Sequence, residues 1–358
     1  MAAERIVIAG GGTGGHLYPG IAIAEELKRR RRGVEIVFVG AGLPLEREIL
    51  DRHGYRLVPI RSGGMVGKSL IRKIRGGFFS LVGLVQSVRR LLQMRPKVVV
   101  GVGGYASGPM VLAALMLRIP TLIQEQNHPP GVTNRLLAPW VSKVAVSFQE
   151  TRKFLRGRGE VTGNPIRPEF HSARRKERGE TFHVLIFGGS QGSRAINDAL
   201  IEALPHLEAQ KLGLRFLHGT GPGDLARVMA AYAARGFEAS VVPYIADIRG
   251  AYEQADLVIA RAGASSVAEI AACRKASILV PLPTAAHDHQ RHNARLLSEA
   301  GAALLLEEKD LSGGSLAHAI LSLSGDPGHV VAMERAAASL ARPEAAARIA
   351  DMIEELAA

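Results

Sequence analysis

Ile6-Val7-Ile8-Ala9-Gly10-Gly11-Gly12-Thr13-Gly14-Gly15-His16 is an apolar run that enters a glycine-rich turn, and Val184-Leu185-Ile186-Phe187-Gly188-Gly189-Ser190-Gln191-Gly192-Ser193 repeats it. Each spells a strand, a glycine-rich turn, and a helix start. Glycine lets backbone approach a ligand closely, and the first turn of a helix offers free N–H groups to an anion. Outward from these turns the chain alternates β-branched runs with longer apolar-periodic segments. Expected strands are Ile6–Ala9, Glu35–Val39, Leu57–Ile60, Val98–Val102, Thr121–Gln124, Lys143–Val146 and Glu160–Thr162. A second series follows: His183–Phe187, Arg215–His218, Ala239–Pro243, Leu257–Ala260, Ser277–Val280 and Ala303–Leu306. Most lack period-two alternation, which suits strands of a parallel sheet covered on both faces. Segments such as Gly20–Arg30, Ala195–Leu207 and Ser265–Cys273 lie between them. The pattern is α/β, two Rossmann-like doubly wound domains facing across a cleft.

The halves meet near Gly163-Asn164-Pro165-Ile166-Arg167-Pro168, where two prolines end any strand or helix. The expected division is 1–163, 164–342, and a C-terminal helix over 343–358 that packs back toward the N-terminal domain. The 358 residues suffice for two cores. A single cysteine, Cys273, excludes a disulfide framework and fits a reducing cytoplasm. No apolar run reaches the roughly 20 residues that span a bilayer, and the N-terminus lacks a signal-peptide core. Net charge is +12, unevenly spread: residues 1–165 carry 25 Lys+Arg and 10 Asp+Glu, and the remainder is slightly acidic. A basic half needs an anionic partner. Aromatic residues are only 5% of the chain, too few for base-stacking surfaces, which argues against nucleic acid.

Several motifs carry competing readings. Gly10–Gly15 matches G-x-G-x-x-G, but a dinucleotide site wants an acid about 20 residues on. The second strand here ends Val37-Phe38-Val39-Gly40-Ala41-Gly42, without a carboxylate. Ser62-Gly63-Gly64-Met65-Val66-Gly67-Lys68-Ser69 nearly spells a Walker A loop, with Ser62 in place of its first glycine. A glycine-rich loop offering Lys68 to an anion is the better reading. Leu70–Leu92 is basic and amphipathic, interrupted by Gly76-Gly77. It suits a core-packed helix with a solvated basic end, or a surface that meets anionic lipid. In Arg261-Ala262-Gly263-Ala264-Ser265-Ser266-Val267-Ala268-Glu269, Ser266 and Glu269 can form a capping box. Alternatively the turn binds phosphate and Glu269 takes two ribose hydroxyls.

Taken together the motifs resemble one family. They are Gly11–His16, Gly101-Val102-Gly103-Gly104-Tyr105-Ala106-Ser107-Gly108-Pro109, Gln124-Glu125-Gln126-Asn127, Gly163–Arg167, Gly188–Gly192, Arg261–Glu269, and His289-Gln290 with Asn293-Ala294. In this order they are similar to the MurG family of bacterial peptidoglycan glycosyltransferases, over almost the whole chain. The resemblance departs at Asn127-His128-Pro129-Pro130-Gly131 and at Ala264-Ser265-Ser266. It implies a GT-B fold with the donor on the C-terminal domain and the acceptor on the N-terminal one. It implies transfer of GlcNAc from UDP-GlcNAc to the MurNAc 4-hydroxyl of lipid I, undecaprenyl-pyrophosphoryl-MurNAc-pentapeptide, giving lipid II with inversion. Another GT-B UDP-sugar transferase with a different acceptor is the alternative. The implied place is peripheral, on the cytoplasmic face of the cell membrane. Its anionic surface is an expected partner, with other cell-wall synthesis enzymes beside it, and nucleic acid is not.

The resemblance also distributes roles. Ser190 and Arg167 meet the diphosphate, backbone at Ile245 holds uracil, Ala264, Ser265, Ser266, Val267, Ala268 and Glu269 hold phosphate and ribose, and Gln290 reads the GlcNAc hydroxyls. Thr13, Gly14, Gly15 and Asn127 reach the donor sugar, and Lys68 and Tyr105 the acceptor. Inversion needs a base on the acceptor hydroxyl. His16, whose place at a helix N-terminus disfavours the imidazolium, is the first candidate, and Glu125 the second. No Asp-x-Asp occurs. Donor binding is therefore expected to need no metal or other cofactor, with divalent cations at most a nonspecific stimulant.

Overall fold

The computed structural model describes residues 4–62, 70–173, 179–189, 191–210 and 213–358, with backbone alone over 70–80. The chain divides into two compact units, 1–167 with 342–358, and 168–341. The division thus follows Arg167 rather than Gly163.

The first unit runs β1 (Arg5–Gly10), α1 (Gly14–Arg30), β2 (Glu35–Gly40), α2 (Pro44–Arg52), β3 (Arg56–Pro59), α3 (Leu70–Met94), β4 (Val98–Gly103), α4 (Ser107–Met116), β5 (Thr121–Glu125), α5 (Val132–Leu137), β6 (Lys143–Val146) and β7 (Glu160–Val161). Its sheet has the order β3-β2-β1-β4-β5-β6-β7, and the paired strands are parallel. One face packs Ile8, Phe38 and Val100 with Leu17 and Ile21 of α1. The other packs Val7, Val37 and Val99 with Met110 and Val111 of α4. Burial on both faces explains why these strands read as continuous apolar runs.

The second unit runs β8 (Phe182–Phe187), α6 (Arg194–Glu208), β9 (Leu214–Gly219), α7 (Leu225–Ala234), β10 (Glu238–Val242), α8 (Ile248–Gln254), β11 (Leu257–Ala260), α9 (Ala264–Ala272), β12 (Ala276–Leu279), α10 (His289–Glu299), β13 (Ala303–Leu305), α11 (Gly313–Ser324) and α12 (Pro327–Leu340). Its parallel sheet has the order β10-β9-β8-β11-β12-β13. The last helix, α13 (Ala345–Ala357), returns to the first unit. Its Ile349, Ile353 and Ala357 join Leu17, Ile21 and Leu27 in one core. Its acids meet basic partners there, Asp351 and Glu354 at Arg30 and Glu355 at Lys143.

Every expected strand segment is a strand, and three helical readings change. α1 begins at Gly14, not Gly20, and runs through Pro19. A proline there forfeits only the bond to the carbonyl of Gly15, while its ring fixes a helical φ. Gly76-Gly77 does not interrupt α3, which is continuous from Leu70 to Met94. Glycine weakens a helix by about 1 kcal/mol per residue without removing its hydrogen bonds. The capping box at Ser266 and Glu269 is absent. Gly263 takes the cap position, so Ser266 is third in α9 and Glu269 sixth.

Strand order reverses between β1 and β4 in the first sheet and between β8 and β11 in the second. Ligands of open α/β sheets bind beyond the carboxyl ends of strands at such a reversal.

Candidate active site

In the first unit, the turn after β1 meets the turn after β4. The register slips at Ala9/Gly10, which brings Gly10 opposite Gly103. Gly104, at φ +81°, lies so close to the backbone of Gly11 that any Cβ would collide with its carbonyl oxygen. The turns therefore pack backbone on backbone. Thr13 is the N-cap of α1, and His16 is its third residue. The His16 ring lies against Gly103, where a Cβ would sit 3.0 Å from Nε2. Its Nδ1 is 3.3 Å from Thr13 Oγ1. A base acting through Nε2 would carry its proton on Nδ1, shared with that hydroxyl. Thr13 and Gly15 are exposed, His16 and Gly14 half-buried, and Tyr105 exposed.

Glu125 ends β5 and is buried. Its Oε1 accepts from the N–H of Asn127 at 2.9 Å. Its Oε2 accepts from the N–H of Gly131 at 3.0 Å and from Asn134 Nδ2 at 2.8 Å. Burial pushes its carboxyl above the ordinary range, while these donors pull it down. Both oxygens are engaged in folding the loop that carries Asn127. Arg167 closes the first unit with its guanidinium 5.0 Å above the ring of Tyr18. Lys68 and the rest of the loop 63–69 lie outside the described residues, as does Ser190.

In the second unit the proposed donor residues follow the same rule of strand ends. Gly188–Gly192 link β8 to α6, whose N-cap Ser193 accepts from the N–H of Ile196. Gly192 presses on the carbonyl of Thr220. Ile245, between β10 and α8, buries its side chain against Gly219, which leaves backbone as its polar part. After β11, Ala264, Ser265 and Ser266 form the first turn of α9, where helical N–H groups lack intrahelical partners. Ser265 Oγ is buried without a hydrogen-bond partner among the described residues. Val267 and Ala268 continue that helix, and Glu269 accepts from the Tyr252 hydroxyl at 3.4 Å. After β12, Gln290 Oε1 accepts from the N–H of Leu282 at 3.0 Å, which leaves its Nε2 to donate to a ligand. Among the described residues no cluster of His, Cys, Asp and Glu could hold a metal ion.

Sequence reasoning missed what lies behind these turns. His218, fully buried at the end of β9, bonds Asn197 Oδ1 at 3.0 Å and the Tyr232 hydroxyl at 3.4 Å. Asn197 in turn donates to the carbonyl of Thr220 and to Asp224. Burial pushes the His218 imidazole down to about 3, against the opposing charge of Asp224. A polar network with a neutral imidazole at its buried end thus braces the loop beneath the glycine turn of α6. Its only sequence signal, a lone His in an apolar strand, is too common to single out. Glu46 was missed as well, although a carboxylate at the third position of α2 after Gly40-Ala41-Gly42 is a visible helix-start signal.

Comparison with known proteins agrees on one family. Residues 6–146 match the glycosyltransferase family 28 N-terminal domain, and residues 183–352 match the glycosyltransferase family 28 C-terminal domain. The chain is 45% identical, over 98% of its length and 93% of the relative's, to the UDP-N-acetylglucosamine–N-acetylmuramyl-(pentapeptide) pyrophosphoryl-undecaprenol N-acetylglucosamine transferase of Myxococcus xanthus. It is 47% identical to the protein of that name from Syntrophus aciditrophicus, over 97% of each chain. Its structure is similar to a crystal structure of Acinetobacter baumannii MurG, with a TM-score of 0.81 and 30% identity over 98% and 99% of the two chains. The two parallel-sheet units make the fold GT-B.

Proposed function

The chain belongs to glycosyltransferase family 28, and from that premise we propose that it transfers GlcNAc from UDP-GlcNAc to the MurNAc 4-hydroxyl of lipid I, giving lipid II. The observation that carries this reading is near full-length identity of 45% and 47% to transferases named for that donor and acceptor. The alternative, another UDP-sugar transferase with a different acceptor, has no such support.

The chemistry follows from the residues. An α-linked donor giving a β-linked product requires one in-line displacement. The acceptor O4 attacks C1, the bond from C1 to the UDP oxygen breaks, and the O4 proton passes to a base. We assign the base to His16, at the mouth of the β1 turn. Glu125, with both oxygens holding the Asn127 loop, orients that loop so that Asn127, Thr13, Gly14 and Gly15 can bind the donor sugar. Departing UDP carries the developing negative charge. The first turn of α6 with Ser190, the first turn of α9 with Ser265 and Ser266, and Arg167 supply N–H donors and a fixed cation for it. Backbone at Ile245 takes uracil, Glu269 the ribose hydroxyls, and Gln290 Nε2 a sugar hydroxyl. Lys68 and Tyr105 serve the acceptor.

The acceptor is a lipid, so the enzyme works at a membrane surface. No helix among the described residues is long and apolar enough to cross a bilayer. We assign attachment to the first unit, on its excess of basic residues, peripherally, on the cytoplasmic face where the nucleotide donor and other cell-wall synthesis enzymes meet the membrane. α3 exposes Leu81, Val85 and Leu92 with Arg89 and Arg90, and α4 adds Met116.

The test is turnover of UDP-GlcNAc with a soluble lipid I analogue against competing sugar acceptors, in EDTA and then in Mg²⁺. Selective transfer to the analogue in EDTA is expected. Transfer to another acceptor overturns the substrate assignment, and activity lost in EDTA and restored by Mg²⁺ overturns the metal-free mechanism.

A further inference from the structure

Glu46 is 1% exposed, and no ion pair accounts for it among the described residues. Instead its carboxylate accepts from backbone. Oε2 takes the N–H of Gly42 at 2.7 Å and of Leu43 at 3.1 Å. Those two bonds are local: Pro44 opens α2, and a glutamate at its third position commonly reaches back to the N-cap N–H. The third bond is not local. Oε1 accepts from the N–H of Gly12, 34 residues away, at 2.7 Å. The surrounding sequence makes room for this reach. A Cβ on Gly11 would collide with Oε1, and one on Gly40 would lie 2.8 Å from Oε2. A capping role explains Gly42 and Leu43. It does not explain why the carboxylate is threaded between two glycines to the turn that carries Thr13 and His16.

We propose that Glu46 is a positioning residue for the transfer reaction: its buried carboxylate fixes the backbone of the Gly10–Gly15 turn through Gly12 and so sets where Thr13 and His16 stand. Gly12 adopts φ +88° with no neighbour within 4 Å of a Cβ position. Among the described residues nothing packs against that side, and the turn is held by its hydrogen bonds and by the contact of Gly11 with Gly104. The bond from Gly12 ties it to α2, and the contact of Gly104 with Gly11 ties it to the turn after β4. The inference rests on the reading of His16 as the base.

Two substitutions separate positioning from capping. Glu46→Asp keeps a carboxylate at the third position of α2, where it still caps, but is one methylene too short to serve Gly12 as well. Glu46→Gln keeps the length and offers one oxygen where two accept, so an NH₂ faces a backbone N–H. Both are compared with His16→Ala and with the double variants in the full-length enzyme, reading kcat, UDP affinity and melting temperature. A misplacement of about 1 Å can cost about 100-fold in rate. Both single variants should therefore lower kcat about 10- to 100-fold with unchanged UDP affinity. The loss should largely disappear in the His16→Ala background, because the two residues act through one geometry. If Glu46→Gln does not fold, Glu46→Asp carries the comparison. Wild-type kcat in a folded variant, or a loss that multiplies fully with that of His16→Ala, overturns the proposal. His16→Ala retaining the wild-type kcat overturns the base reading instead, and the single Glu46 variants then still decide whether the turn must be held.

Discussion

Glu269 shows what one carboxylate can and cannot be read to do. In sequence it had two uses, a helix cap and a ribose ligand, and nothing distinguished them. The structure removes the first, because α9 starts at Ala264 and places Glu269 a turn and a half inside, beside the Tyr252 hydroxyl. Charge-assisted hydrogen bonds are worth about 1.5–3 kcal/mol each, so Glu269→Ala should weaken UDP binding about tenfold or more. Isothermal titration with UDP checks this, and unchanged affinity would remove Glu269 from the donor site. His16 and Glu269 stood out as candidates because they follow glycine-containing turns, where composition is unusual, whereas Ile245 and Gln290 were named by the family resemblance alone. The residues that support the turns did not stand out. Glu46 and His218 act through partners 34 and 21 residues away, on other elements, and no local pattern encodes such a bond.

At the scale of elements, strands were legible nearly to the residue, since a strand buried on both faces is a block of Val, Ile and Leu bounded by polar or glycine residues. Helix starts were harder. Pro19 and Gly76-Gly77 are breakers by propensity, yet α1 and α3 continue through them because packing of the rest of each helix outweighs the local cost. The brace between β9 and α6 makes a prediction at this scale. An unfolded histidine titrates near 6.5, and His218 in the fold near 3. Between those values the unfolded state binds the extra proton, so the contribution is complete above 6.5 and is lost as pH falls toward 3. Every tenfold weakening of proton affinity on folding corresponds to about 1.4 kcal/mol. Denaturant melts of wild type and His218→Gln across that window should show the steeper acid loss in wild type. Equal slopes would mean that His218 is not buried neutral.

At the scale of the molecule, composition alone separated a basic half from a slightly acidic one, and the two units keep that division. The first unit should bind vesicles containing anionic lipid, with affinity falling as salt rises, since each basic residue near such a surface contributes about 1 kcal/mol. Trp140, the single tryptophan of the chain, is 75% exposed in that unit and can report binding by fluorescence. Equal binding to neutral and anionic vesicles would discard the role of charge. The central claim is that the units divide the work: the second holds UDP, and the first supplies the base through His16. The direct test measures kcat and UDP affinity of His16→Ala with a lipid I analogue. Loss of a general base costs about 10²–10⁴ in rate, so kcat should fall by that much while UDP affinity stays at the wild-type value. A variant that keeps most of its kcat, or loses UDP binding in proportion, would contradict the account.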